Sequence, residues 1–147
     1  GQVTFTGSIP FEEVPHYLKA ADLFAFASVT ETQGIVTMEA MAAGLPVVAV
    51  DGSGTRDILQ NGKQGYLVEN DPDALAQGLN RLLSDSQRIK RFSNQALKRA
   101  KMFDVNQLSK QMINMYEQAI QDKKDNQYVT LKLDEAVPQE AVSPVQS

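Results

Sequence analysis

Apolar residues follow two rhythms along this chain, short unbroken runs and longer stretches in which they recur every three or four positions. That alternation is what parallel strands joined by crossover helices produce. Val3 to Phe5 is the first short strand expected, closed by Gly7. Glu12 to Ala21 follows as a helix with Val14, Tyr17, Leu18 and Ala21 on one face, and Pro15 fits because it falls in the first turn. Leu23 to Ala27 (LFAFA) is apolar on both faces, as a central parallel strand must be. Gly34 to Ala43 is expected to be helical, stopped by Gly44 and followed by Pro46, and Val47 to Val50 is the next buried strand.

The glycine-punctuated run from Asp51 to Gly65 leaves room for one short helix near Arg56 to Gln60, and Tyr66 to Val68 forms another short strand. Asp71 and Pro72 supply an N-cap and a first-turn proline for a helix ending near Leu83. Two more helices are expected. Ser86 to Phe103 buries Ile89, Phe92, Ala96 and Ala100; Val105 to Asp122, capped by Asp104, buries Leu108, Met112, Met115, Tyr116 and Ala119. Beyond Asp125 periodicity is lost, so 123–147 reads as an extended or disordered tail with Tyr128 to Leu133 as its strand-like part. The order β-α-β-α-β-α-β plus helices predicts an α/β, Rossmann-like three-layer domain with a parallel sheet over 1–122. Ligands of such sheets bind beyond the carboxyl ends of the strands. That rule selects two loops, Ser28 to Gly34 and Asp51 to Thr55.

Composition removes several kinds of chemistry. With 147 residues and 42% hydrophobic content the chain can bury one sizeable core. A net charge of -4 argues against nucleic-acid binding, which needs a basic face. The absence of cysteine removes thiolate catalysis and Cys-based zinc sites, and a single histidine, His16, removes multi-histidine metal centres. No apolar run approaches the roughly 20 residues that cross a bilayer. The N-terminal GQVTFTGSIP has neither a starting Met nor a signal-like segment, so the chain is expected to be cytoplasmic and a piece of something longer.

The candidate chemistry lies in TETQGIVTMEAMAAGLPVVAV, Thr30 to Val50. If a helix begins at Gly34, the first-turn amides of Gly34, Ile35 and Val36 are unpaired donors at the positive end of the helix dipole, a ready site for a diphosphate. Glycine leaves room for the ligand to approach the backbone, and Thr37 adds a hydroxyl. Glu31 precedes this helix and Glu39 lies about a turn inside it, too far apart to share a proton. They suit two ends of one elongated ligand, Glu39 the two hydroxyls of a ribose and Glu31 those of a sugar beyond the phosphates. Gly52 to Thr55 lack the Lys-Ser/Thr signature of a P-loop. They are expected to turn the chain near the sugar, with Ser53 close to the donor and Arg56 and Asp57 fixing the loop through a local ion pair.

The ordered set from Ala21 to Leu83, with Glu31 and Glu39 in a Glu-x7-Glu pattern and AMAAGLPVV closing the helix into the next strand, resembles the donor-binding half of retaining GT-B glycosyltransferases, the glycosyl transferases group 1. The resemblance covers roughly Val3 to Met115 and departs from the family's usual residues at Gln33 and Asp57. It implies one half of a GT-B fold and a hexose moved from a nucleotide sugar, UDP-glucose as the first expectation, without a metal or other cofactor. In that family the first glutamate, here Glu31, approaches the donor sugar and is the catalytic candidate. Glu39 holds the ribose, and Gly34, Ile35, Val36 and Thr37 hold the diphosphate. It further implies that the acceptor domain, and the Arg and Lys that neutralise the diphosphate, lie upstream, so the isolated chain is expected to be inactive. The Thr-Gln-Gly version points to a lipid as acceptor, with a polysaccharide as the other choice. The basic helix Ser86 to Phe103 offers a peripheral contact with the inner face of a membrane, or merely a solvated face. A non-catalytic module that binds a nucleotide or sugar phosphate is the alternative that residues alone leave open.

Overall fold

A computed structural model describes residues 3–125. Three strands, β1 (Phe24–Phe26), β2 (Val47–Val50) and β3 (Gly65–Val68), form a parallel sheet in the order β1-β2-β3. Between and after them run α1 (Val14–Ala20), α2 (Ile35–Ala42), α3 (Ser53–Ile58), α4 (Pro72–Leu83), α5 (Ser86–Lys101) and α6 (Val105–Lys124). The α/β layering expected from the alternation is present. The chain falls into two units: the first, ending at Val105, holds the sheet and α1 to α5, and the second begins at Asn106.

β2 is the centre of the sheet, all four of its residues buried, because it alone has a strand on either side. Its side chains alternate between two cores. Val47 and Ala49 pack with Met41 of α2, Ile58 of α3 and Ala96 of α5; Val48 packs with Tyr66, Leu82 of α4 and Phe92 of α5. Phe92 meets Tyr66 edge-on with ring centroids 5.4 Å apart. Helices therefore cover both faces of the sheet, and every crossover returns the chain to the same sheet end.

Two helix starts follow the expected chemistry. Asp71 accepts the Ala74 amide at 2.9 Å with Pro72 in the first turn, and Asp85 accepts the amides of Gln87 and Arg88. Just past α2, Gly44 with a φ of 89° turns the chain so that Leu45 N–H reaches back to the carbonyl of Ala40 at 3.0 Å.

Five expectations are corrected. Val3 to Phe5 is not a strand; Phe5 is 93% exposed, and a strand without a neighbour to share its ladder does not persist. β1 is an edge strand among the described residues, with Ala25 exposed, because its second edge has no partner there. α1 buries none of its side chains: Val14 and Leu18 are half-buried, while Tyr17 and Ala21 are exposed. α6 also buries none, and Leu108, Met112, Met115, Tyr116 and Ala119 stand exposed. Apolar periodicity names the face a helix would bury, but it does not supply the partner. The short helix in the glycine-rich run begins at Ser53 rather than near Arg56. The expected tail strand, Tyr128 to Leu133, lies outside the described residues.

Candidate functional site

The carboxyl ends of β1 and β2 open into the two selected loops, and these pack against each other. Gly54 N–H donates to the carbonyl of Glu31 at 3.0 Å, and Ser53 Oγ approaches the same oxygen at 3.4 Å. The start of α3 thus rests on the loop that carries Glu31. The fit depends on two glycines. Gly34 caps α2 with a φ of 66°, and a Cβ there would lie 2.6 Å from the Gly54 carbonyl oxygen and 2.7 Å from Ile58 Cγ1. A Cβ on Gly54 would lie 2.6 Å from the Glu31 carbonyl oxygen. The room that glycine leaves at position 34 is therefore taken by α3, not left open for a ligand.

Glu31 uses its side chain on the same turn. Its Oε1 accepts the amides of Gln33 and Gly34, both at 2.9 Å, and these two donors hold the carboxyl below its ordinary pKa. The first intrahelical bond of α2 is Met38 N–H to the Gly34 carbonyl at 3.0 Å. The amides of Ile35, Val36 and Thr37 precede it and have no carbonyl of the helix to bond. Of the expected phosphate donors, Ile35 and Val36 thus start free, and Gly34 starts engaged. The Thr37 side chain is wholly buried and its hydroxyl has no hydrogen-bond partner in the protein. The hydroxyl of Thr55, on α3, is buried in the same way.

Glu39 lies five residues beyond Gly34, about 7.5 Å along the axis at 1.5 Å per residue. It is half-buried and borders two grooves. One, about 240 Å³, is apolar and runs between α1 and α2, lined by Phe11, Pro15, Leu18, Lys19 and Ala43. The other, about 400 Å³, lies between α2 and α5 beside Ile35, Met38, Leu97 and Lys101. Glu31 therefore stands in the loop before α2 and Glu39 inside the helix, on either side of its first amides. His16 is exposed on α1 and lines neither groove.

The ion pair expected of Arg56 and Asp57 is formed differently: Arg56 Nε meets Asp51 Oδ1 at 2.8 Å, tying the end of β2 to α3. What Asp57 contributes is its carbonyl, which accepts from Arg99 of α5 at 3.0 Å, while Arg99 Nε donates to the Ile58 carbonyl at 3.1 Å. Other cations of α5 are also occupied. Arg88 pairs with Asp85 at 3.1 Å, and Arg91 stacks on Phe92. Lys90, Lys98 and Lys101 of the same stretch are exposed. Among the described residues no three His, Cys, Asp or Glu side chains gather as a metal-ligand set, and no helix is long and apolar enough to cross a membrane.

Sequence reasoning missed the docking of α3 on the Glu31 loop and the turn that the Glu31 side chain closes on the Gln33 and Gly34 amides. Its signal is an acid three residues before a glycine at a helix start, the spacing at which a carboxylate can fold back onto the amides two and three residues on.

Residues 1–99 match the family model described as glycosyl transferases group 1. The D-inositol 3-phosphate glycosyltransferase of Corynebacterium urealyticum is 36% identical over 115 residues, 78% of this chain and 27% of the relative. The corresponding protein of Salinispora tropica is 34% identical over 110 residues, 74% of this chain and 23% of the relative. The chain thus spans about a quarter of the length of these curated relatives. Among solved structures, sucrose-phosphate synthase from Thermosynechococcus elongatus superposes with a TM-score of 0.72 at 31% identity, over 80% of this chain and 30% of that one. Anabaena Alr3699/HepE in complex with UDP gives 0.67 at 29%, over 72% of this chain and 30% of that one.

Proposed function

The chain belongs to the glycosyl transferases group 1 family, and on that premise we propose that it is the donor-binding part of a retaining glycosyltransferase that moves a hexose from a nucleotide sugar, UDP-glucose first among them. The amides at the start of α2 receive the diphosphate, Glu39 accepts the ribose hydroxyls, and Glu31 faces the transferred sugar. The nucleobase lies in the apolar groove of Phe11, Pro15 and Leu18, which borders Glu39. One observation carries this reading: unpaired first-turn amides of α2 lie between a carboxylate in the preceding loop and one inside the helix, at the sheet end where ligands of such folds bind. UDP held by a relative of the same fold supports the nucleotide.

Transfer needs more than this site. The acceptor, a lipid or a polysaccharide, and the cations that balance the diphosphate are supplied by the rest of a longer protein. Departure and attack on the same sugar face retain the anomeric configuration without a metal. The isolated chain binds donor weakly and does not turn it over.

Calorimetric titration with UDP-glucose, GDP-mannose, ADP-glucose and glucose 6-phosphate tests the reading. The expected result is binding of nucleotide sugars, UDP-glucose foremost, and none of the bare sugar phosphate. No heat with any nucleotide sugar at millimolar concentration contradicts it.

A further inference from the structure

Glu31 is tied down in two separate ways. Its carbonyl is fixed by Gly54 N–H at 3.0 Å and approached by Ser53 Oγ, so the backbone of the loop is pinned by α3. Its side chain is held by the amides of Gln33 and Gly34, both at 2.9 Å, with the Thr32 amide also acting on it. The carboxylate can therefore leave those amides by side-chain rotation while the backbone stays put. Gly34 has no such freedom, since it is buried, left-handed and packed against Gly54 and Ile58. An amide carries one proton to donate. An incoming phosphate oxygen and the Glu31 carboxylate cannot both take it from Gly34, and two anions at hydrogen-bond distance from one amide repel each other.

We infer that Glu31 is the internal anion of this site and, by exchange, its specificity determinant: the free chain stores the carboxylate on the Gly34 amide, and a ligand's diphosphate claims that amide by displacing it. The inference rests on the donor-site reading above. A nucleotide sugar compensates the displaced carboxylate, because sugar hydroxyls beyond the diphosphate donate to it in place of the amides. A bare nucleoside diphosphate brings no such hydroxyls and leaves Glu31 to water. Glu31 thus disfavours UDP relative to UDP-glucose, which favours release of the nucleotide product after the sugar has gone.

The test compares UDP and UDP-glucose binding by the unaltered chain, Glu31→Ala and Glu31→Gln, with circular dichroism checking that each folds. Glu31→Gln retains the side-chain shape and an acceptor oxygen, so it remains informative if the alanine variant unfolds. UDP is expected to bind about threefold to tenfold tighter once the charge is removed, the scale of one lost hydrogen-bond competitor, while the preference for UDP-glucose over UDP collapses. UDP binding that is unchanged or weaker in the folded variants overturns the exchange alone. Failure of UDP and UDP-glucose to bind the unaltered chain and the variants alike overturns the donor site, and the exchange with it.

Discussion

Gly34 and Gly54 face each other so closely that a methyl group on Gly34 would stand 2.6 Å from the Gly54 carbonyl oxygen. Each glycine makes room for the other's loop, and together they set where Glu31 and the first amides of α2 lie. Gly34→Ala adds a left-handed non-glycine residue to a steric overlap, so a loss of about 2 to 4 kcal/mol is expected. Urea unfolding reads it as a lower midpoint at unchanged slope. Gly7→Ala is the control: its φ of 64° is similar, but nothing lies within 4 Å, and the cost is expected to be smaller.

Arg99 should be a structural anchor despite its place on a basic helix face. It donates to the carbonyls of Ile58 and Asp57 at the end of α3 and stacks on Phe103. Arg99→Met keeps much of the stem and removes the donors. Its cost is expected to be about 1 to 2 kcal/mol, reduced by partial exposure. Lys98→Met, at an exposed neighbour, is expected to change the melting temperature little.

Glu39 and Glu31 are predicted to differ in what they lose. Glu39→Ala is expected to weaken UDP and UDP-glucose by similar factors, about tenfold to a hundredfold for a charged hydrogen-bond acceptor. A loss confined to the sugar-bearing ligand would remove the ribose role from Glu39. Calorimetry with both ligands decides it.

The Glu31 contacts imply a direction in pH. Its pKa in the folded chain is lowered by the amides of Gln33 and Gly34, so the folded state releases this proton more readily than the unfolded state. The stabilisation is complete above the unfolded glutamate pKa and is lost as the pH falls through the lower folded value. Acidification is therefore expected to shift the Gln33 and Gly34 amide resonances together, and Glu31→Gln to abolish that coupled step.

The order of strands and helices from Phe24 to Lys101 was legible because buried β2 and the capped starts of α4 and α5 write strong local signals. Partners were less legible. The apolar pattern of Leu108, Met112 and Met115 predicted burial, but burial needs a neighbour that periodicity does not name. The same limit applies to β1, which reads as central and stands at an edge among the described residues. At the site, the Glu31 and Glu39 stations were readable from their spacing about a helix start. The contact of α3 with that loop spans 20 positions from Gly34 to Gly54, and no local pattern encodes it. Arg56 paired with Asp51 rather than Asp57 because side-chain reach across a turn, not adjacency, selects the partner.

The most direct measurement is amide chemical-shift mapping of the chain with UDP-glucose. The largest changes are expected at Gly34, Ile35 and Val36, with further changes at Glu39 and along the groove of Phe11 and Leu18. Saturation at millimolar ligand without changes at the start of α2, or changes centred on another surface, would contradict the proposed donor site.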